Sequence, residues 1–187
     1  MKKIVVFASG SGTNAENIIK HFKGSAVADV VGVFTNNANA KVIDRAKNND
    51  VPVEVFSKSE LYESGFLQKI EVINPDLIVL AGFLLKFPDR LIEVYPNKII
   101  NIHPALLPKY GGKGMYGMYV HNAVVENKEK ESGITIHYVN ENYDEGAIIF
   151  QKSVVVLGTD TPEVVAEKIH ELEQKYFPGV IEDLLKA

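Results

Sequence analysis

The chain contains no cysteine among its 187 residues, which excludes disulfide bonds, thiolate chemistry and cysteine-ligated metals. Positive charge is not in excess either, since 20 Lys and Arg residues stand against 24 Asp and Glu residues and the net charge is -4. This balance gives no electrostatic reason to expect a nucleic-acid or anionic-membrane partner. A cysteine-free chain is compatible with a reducing compartment, and we expect a cytoplasmic location.

Long apolar runs are also missing. The longest, Leu77 to Leu85, is far shorter than the roughly 20 residues of a membrane-spanning helix. The apolar start of the chain ends at Ser9-Gly10-Ser11-Gly12, so no secretory signal fits. A composition of 46% hydrophobic and 24% charged residues is ordinary for a globular protein, and the length predicts one domain over residues 1–187.

Short apolar, β-branched runs such as Lys3–Ala8 and Leu77–Ala81 alternate with segments of helical periodicity. Thr13-Asn14-Ala15-Glu16 has the form of a capping box and predicts a helix start, while Thr161 begins a long final helix with a break or kink at Pro178-Gly179. The pattern predicts an α/β fold with a doubly wound, mostly parallel, Rossmann-like sheet of about seven strands, the last of them antiparallel.

Ligands of such sheets bind at the carboxyl ends of the strands. We therefore expect the loops after strands one, four, five and six to open on one edge and to form the site. These loops are residues 9–13, 82–87, 103–114 and 140–146.

The first of these loops fits the pattern G-x-G-x-x-G/A in Gly10-Ser11-Gly12-Thr13-Asn14-Ala15. Backbone amides and a helix N-terminus can cradle a phosphate there, although a plain tight turn has the same pattern. An acid at the end of strand two, which dinucleotide sites use for the ribose, is missing from Phe34-Thr35-Asn36-Asn37. This weakens the interpretation as a dinucleotide site, whereas a site for a phosphomonoester stays possible.

Asn101 and His103 lie two residues apart in the fifth predicted strand, so their side chains project to one face. An amide and an imidazole placed together can polarise a carbonyl, and a capped strand end is the plainer interpretation. Asp144 precedes Gly146 in a loop, where it is either a turn residue or a carboxylate that raises the pKa of His103. His137 and His170 have no metal-ligand spacing and are interpreted as solvated or satisfied histidines.

The turn Phe83-Leu84-Leu85-Lys86-Phe87 carries unusually many apolar side chains. Such a turn ordinarily belongs to the core or to a partner surface. At the carboxyl end of a strand it could also form the wall of a slot for a flat aromatic ring.

Four blocks in this order together resemble the folate-dependent phosphoribosylglycinamide formyltransferases of purine synthesis. They are Ser9-Gly10-Ser11-Gly12-Thr13-Asn14, Leu80-Ala81-Gly82-Phe83, Asn101-Ile102-His103-Pro104-Ala105-Leu106-Leu107-Pro108-Lys109-Tyr110 and Asp144-x-Gly146. The N-x-H-P-[SA]-L-L-P part is shared with methionyl-tRNA formyltransferase and formyltetrahydrofolate deformylase, so it indicates the chemistry and not the acceptor.

The resemblance implies a formyltransferase fold and transfer of the formyl group of the co-substrate 10-formyltetrahydrofolate to the amine of N1-(5-phospho-D-ribosyl)glycinamide in de novo purine (IMP) synthesis, without a metal. It implies direct transfer through a tetrahedral intermediate stabilised by Asn101 and protonated His103, with Asp144 raising the pKa of His103 and assisting proton transfer. It implies ribotide contacts from Gly12, Thr13, Asn14, Lys109 and Glu173. It implies folate contacts from Phe83, Leu84, Leu85, Lys86, Phe87, Asn140, Glu141 and Tyr143.

The partners so implied are these two small molecules, and we expect a monomer or a homodimer. Two other functions stay open. The same residues could pass the formyl group to water, as in the deformylase, or the chain could be a noncatalytic nucleotide-binding Rossmann module.

Overall fold

A computed structural model describes residues 1–187 and contains one seven-stranded sheet in the order β3-β2-β1-β4-β5-β6-β7. The strands are β1 (Lys2–Phe7), β2 (Ala28–Thr35), β3 (Val53–Val55), β4 (Leu77–Leu80), β5 (Ile99–His103), β6 (Glu131–Tyr138) and β7 (Ile148–Val155). The pairs from β3 to β5 are parallel, whereas β6 pairs antiparallel with β5 and β7 antiparallel with β6. The predicted mostly parallel, seven-stranded sheet with an antiparallel last strand is confirmed: β7 is antiparallel to its neighbour β6, and β6 is the strand that runs opposite to the others.

Helices cover both faces of the sheet. They are α1 (Thr13–Phe22), α2 (Val42–Lys47), α3 (Lys58–Leu61), α4 (Ser64–Ile73), α5 (Asp89–Val94), α6 (Met118–Glu126) and α7 (Pro162–Lys186). Alternate residues of β1 enter two separate cores, because successive side chains of a strand point to opposite faces. One core contains α1, α2, α6 and α7 and the other contains α3, α4 and α5, which confirms double winding. None of these helices is both long and apolar enough to cross a bilayer.

Two local predictions are wrong. Helix α1 starts at Thr13 itself, with Gly12 as its N-cap and no side-chain cap, so Thr13 and Glu16 form no capping box. Glu16 instead pairs with Lys20 over 2.8 Å and with Arg45. Helix α7 runs through Pro178-Gly179 without a break.

The unbroken course of α7 has a local explanation at Gln174. Pro178 has no N–H, so the carbonyl four residues earlier loses its helical donor. That carbonyl, of Gln174, accepts a hydrogen bond of 2.8 Å from Asn17 Nδ2 of α1. A side chain of the neighbouring helix thus replaces the missing backbone bond.

Candidate active site

A cleft of about 750 Å³ opens where the strand order reverses, between β1 and β4. The chain adds strands outward in both directions from this point, so the connections after β1 and β4 lead to helices on opposite faces of the sheet, which is where doubly wound folds bind ligands. Its walls come from the loops after β1, β4, β5 and β6, from the glycine-rich segment (residues 112–117) and from α7. Three of the four predicted loops therefore meet as expected, and the fourth arrives by a different route.

Ser9 joins the loops that follow β1 and β4, a role that the sequence did not indicate. Its Oγ donates to Asn36 Oδ1 over 2.7 Å and accepts from the Leu84 N–H over 3.0 Å, while its own N–H donates to the Gly82 carbonyl over 3.0 Å. Asn36 occupies the strand-two position where an acid would hold a ribose. This position therefore serves to brace the cleft.

The glycine loop leads directly into the N-terminus of α1. Gly12 has φ +72°, and a Cβ there would lie 2.4 Å from Val42 Cβ, so only glycine fits. Because no side chain caps α1, the first amides of the helix are available to an anion at the cleft.

Asn14 and Glu173 line the same end of the cleft and are bonded to each other. Asn14 Nδ2 donates to Glu173 Oε2 over 2.9 Å, and Gln174 Nε2 donates to Asn14 Oδ1 over 2.8 Å. The structure therefore brings Gly12, Thr13, Asn14 and Glu173 together, with the Asn14 side chain held against α7.

Lys109 lies elsewhere. Its Nζ pairs with Glu129 at 3.1 Å, and it borders a separate depression together with Tyr110 and Ser132. It does not line the main cleft, because its side chain extends to Glu129 in the turn between α6 and β6. The structure does not support the expectation of a ribotide contact from Lys109.

His103 lies at the end of β5 with an acceptor on each ring nitrogen. Nε2 donates to the Tyr110 carbonyl over 2.7 Å, and Nδ1 is 3.5 Å from Asp144 Oδ2. Only 3% of the residue is exposed. Asn101 lies two residues earlier in β5 and also lines the cleft, so the three predicted catalytic side chains are brought together.

Asp144 reaches His103 by a route that differs from the predicted one. Because β6 is antiparallel to β5, its last residue Tyr138 lies opposite Ile100, near the start of β5, and not at the carboxyl edge. The expectation that strand six ends at that edge is wrong. The loop after β6 folds back instead, with Gly146 against the Tyr138 carbonyl, where a Cβ would lie only 1.6 Å from the oxygen.

The pKa of His103 beside Asp144 also differs from the expectation. Burial lowers the pKa of His103 below its usual value, and the charge of Asp144 and the Tyr110 carbonyl raise it only in part. The structure therefore does not support the expectation that Asp144 keeps His103 charged at neutral pH in the free protein. Burial raises the pKa of Asp144, but interactions with His137, His103 and the Gly112 N–H outweigh it and lower the pKa overall.

Two further histidines, not among the expected site residues, line the cleft. His137 is 2% exposed, and its Nε2 lies 3.2 Å from Asn101 Nδ2 and 3.6 Å from Asp144 Oδ1. His121 on α6 is also buried at the cleft, and its Nδ1 has no hydrogen-bond partner. The alternating pattern of β6 could have indicated that His137 faces Asn101 only if the direction of β6 had been known.

The apolar turn after β4 contributes both to the core and to the wall of the cleft. Phe87 is buried and packs edge-on against Phe7 at 5.1 Å, so it belongs to the core as well as to the cleft wall. Leu84 is 51% exposed and Tyr143 is 42% exposed, and both line the cleft. All the predicted folate contacts line this part of the cleft, namely Phe83, Leu84, Leu85, Lys86, Phe87, Asn140, Glu141 and Tyr143.

An amide, an imidazole and a carboxylate at one cleft of a doubly wound sheet can together polarise a carbonyl group. Residues 2–181 match the formyl transferase family, and the chain belongs to that family. This agrees with the formyltransferase fold expected from the sequence.

Named relatives are similar over nearly the whole chain. The chloroplastic phosphoribosylglycinamide formyltransferase of Arabidopsis thaliana is 41% identical over 96% of this chain, which spans 64% of that relative's length. Phosphoribosylglycinamide formyltransferase of Bacillus subtilis is 37% identical over 99% of this chain and 95% of its own length. The solved structure of glycinamide ribonucleotide transformylase 1 from Geobacillus kaustophilus has a TM-score of 0.89 at 34% identity, covering 99% of each chain.

Proposed function

We propose that this protein transfers the formyl group of 10-formyltetrahydrofolate to the amine of N1-(5-phospho-D-ribosyl)glycinamide, a step of de novo purine synthesis. The observation that carries the proposal is that one cleft joins a helix N-terminus suited to a phosphate, the group Asn101, His103 and Asp144, and an apolar wall suited to a flat ring. The order of these parts along the cleft matches a phosphorylated acceptor at one end and a folate at the other.

The ribotide phosphate binds the free amides at the start of α1, since Gly12 allows close approach of the backbone. Glu173, with 14% of its side chain exposed, accepts hydrogen bonds from the ribose hydroxyls beside it. Leu84 and Tyr143, which both line the cleft and are exposed in it, cover the two faces of the folate ring. These contacts hold the amine and the formyl carbon in reach of each other.

Asn101 and His103 act on the formyl oxygen. When the amine adds to the formyl carbon, negative charge develops on that oxygen, and N–H donors placed beforehand stabilise it in a site with little water. The developing anion raises the pKa of the nearby imidazole, so His103 Nδ1 takes up a proton from solvent as the charge develops and releases it when the intermediate collapses. Its Nε2–H must then exchange the Tyr110 carbonyl for the substrate oxygen.

Asp144 lowers the cost of charging His103, because its Oδ2 faces Nδ1 at 3.5 Å. The carboxylate is also placed to accept the proton that the attacking amine loses, directly or through one water, and to return it to the leaving nitrogen. The product amide and tetrahydrofolate then carry the same total number of protons as the reactants.

A mass-spectrometric assay tests this proposal. Wild-type protein and His103→Ala are incubated with the ribotide and 10-formyltetrahydrofolate, and the formylated ribotide is measured. We expect product from the wild type and at least about 10²-fold less from the variant. Folate consumed without formylated ribotide would favour hydrolysis, and nucleotide binding without folate consumption would favour the noncatalytic module.

Several properties stay predictions. They are the cytoplasmic location, the single domain over residues 1–187, the monomeric or homodimeric state and the absence of nucleic-acid partners. The Arabidopsis thaliana relative is named as chloroplastic, so membership of the family does not decide the compartment.

A further inference from the structure

His137 contacts the proposed catalytic amide without belonging to the expected catalytic trio. It lies directly opposite Asn101 in the antiparallel pair of β5 and β6. Side chains of residues directly opposite each other in such a pair project to the same face. Here the two polar groups meet at 3.2 Å in a place where His137 is almost fully buried.

The backbone determines which nitrogen of His137 carries the proton. Nδ1 lies 2.9 Å from the Tyr138 carbonyl, and a carbonyl oxygen can only accept, so Nδ1 is protonated. In the neutral ring Nε2 then has a lone pair and accepts from an N–H. Asn101 must therefore present its amide nitrogen, and not its oxygen, to His137.

The local charges favour the same arrangement while His103 is charged. Asp144 is the one carboxylate within ion-pair distance of the two imidazoles, at 3.5 Å from His103 and 3.6 Å from His137. One carboxylate offsets one imidazolium, and a second buried cation without a partner is costly. When His103 is charged during the reaction, His137 is therefore neutral.

We propose that His137 is a positioning residue that holds Asn101 with an amide N–H aimed into the cleft. An Asn amide has two hydrogens on nitrogen. His137 Nε2 accepts one of them, and the other is left for the formyl oxygen. If the ring donated from Nε2, Asn101 would turn its oxygen to the ring and lose this donor geometry. The inference rests on the proposed catalytic role of Asn101.

Two variants distinguish the role of the His137 Nε2 acceptor from that of the ring's size. His137→Phe keeps an aromatic ring and removes both nitrogens, whereas His137→Gln can place an amide oxygen near the former Nε2. We expect His137→Phe to lower kcat about 10- to 100-fold through misplacement of Asn101, with both KM values within about twofold. His137→Gln should restore most of kcat. Equal losses in both variants, or a loss confined to KM, would overturn the proposal.

Double-mutant cycles identify the residue through which His137 acts. In an Asn101→Ala background, His137→Phe should lower kcat by less than about twofold more, because its target is already gone. The same loss in both backgrounds would overturn the proposal, as would a loss that disappears only in an Asp144→Asn background. If Asn101→Ala alone left turnover intact, the proposed role of Asn101 would fail as well.

A measurement on the wild-type protein does not depend on any variant folding. Nitrogen-15 NMR of labelled histidine should show Nδ1 of His137 protonated and Nε2 unprotonated at neutral pH. Circular dichroism and thermal melts of each variant show whether it is folded before its kinetics are interpreted. An Nε2-protonated His137 would overturn the proposal, even if formyl transfer itself were demonstrated.

Discussion

The backbone N–H of Gly112 donates a hydrogen bond to Asp144 Oδ2 over 2.9 Å. The same oxygen is 3.5 Å from His103 Nδ1, so the backbone after β5 and the imidazole at its end share one carboxylate oxygen. A residue from a loop more than 30 positions away is thereby held in the cleft at two points.

Asp144→Asn should lower turnover by about 10²- to 10³-fold and leave the KM for the ribotide within about twofold. Asparagine keeps the size of the side chain and can still accept from Gly112, but it has no charge to favour protonated His103. Steady-state kinetics with both substrates measure the effect, and Asp29→Asn, at an exposed position of β2, is the matched control. Unchanged kcat would remove Asp144 from the mechanism.

The pKa of His103 should lie below the usual value of about 6.5 in the free protein, because burial outweighs the neighbouring carboxylate. Removing that carboxylate in Asp144→Asn should lower this pKa further, since the charge of Asp144 raises it. An NMR titration of the imidazole carbon resonances measures both midpoints. A midpoint above the usual value, or an upward shift in the variant, would contradict the argument.

Gly12→Ala should lower the free energy of unfolding by about 2–4 kcal/mol, from the left-handed backbone and the overlap with Val42. It should also raise the KM for the ribotide, because the phosphate loop must shift. Gly10→Ala is the control for stability, since a Cβ there meets nothing within 4 Å. Denaturant unfolding of both variants measures the difference in stability, and equal losses would refute the explanation.

Leu84→Ser should raise the KM for 10-formyltetrahydrofolate about tenfold, because partial burial of a leucine under a ligand contributes on the order of 1 kcal/mol or more. The ribotide KM should change little. Leu84 is 51% exposed, so the fold should tolerate the change. Val72→Ser, at a position 85% exposed and away from the cleft, is the control. An unaltered folate KM would exclude Leu84 from the folate wall.

Stability should fall as the pH drops from about 7 toward 5, because burial lowers the pKa of His121 and of His103 in the folded state. The unfolded chain then binds more protons, and the stabilisation present above the unfolded pKa of about 6.5 is lost as pH falls through the folded values. His121→Gln should reduce this loss, as measured by chemical denaturation at each pH.

His170→Gln supplies a control of opposite sign. A hydrogen bond to Glu173 raises the pKa of His170, so its contribution is present at low pH and is lost as pH rises through the folded value. Removing the imidazole of His170 should make the loss of stability between pH 7 and pH 5 steeper. The change should be small, because the side chain is 46% exposed. The same change of slope in both variants would contradict the assignment.

Local patterns in the sequence determined much of this protein. β-branched runs set the buried strands, a two-residue spacing put Asn101 and His103 on one face, and a glycine loop between a strand and a helix marked the end of the cleft that we propose to bind the phosphate. The apolar turn at Phe83–Phe87 was equally visible. These features depend on periodicity and on backbone conformation over a few residues, so neighbouring residues suffice to specify them.

The tertiary structure alone decided the rest. The direction of β6 depends on hydrogen bonds to a strand some 30 residues earlier, and that direction sets His137 opposite Asn101 and makes the Asp144 loop fold back. The lowered pKa of His103 comes from desolvation by the whole surrounding fold. The sequence shows that a carboxylate is available to His103, but it does not show how deeply the imidazole is buried. Strand pairing and burial are long-range properties, and no local pattern contains them.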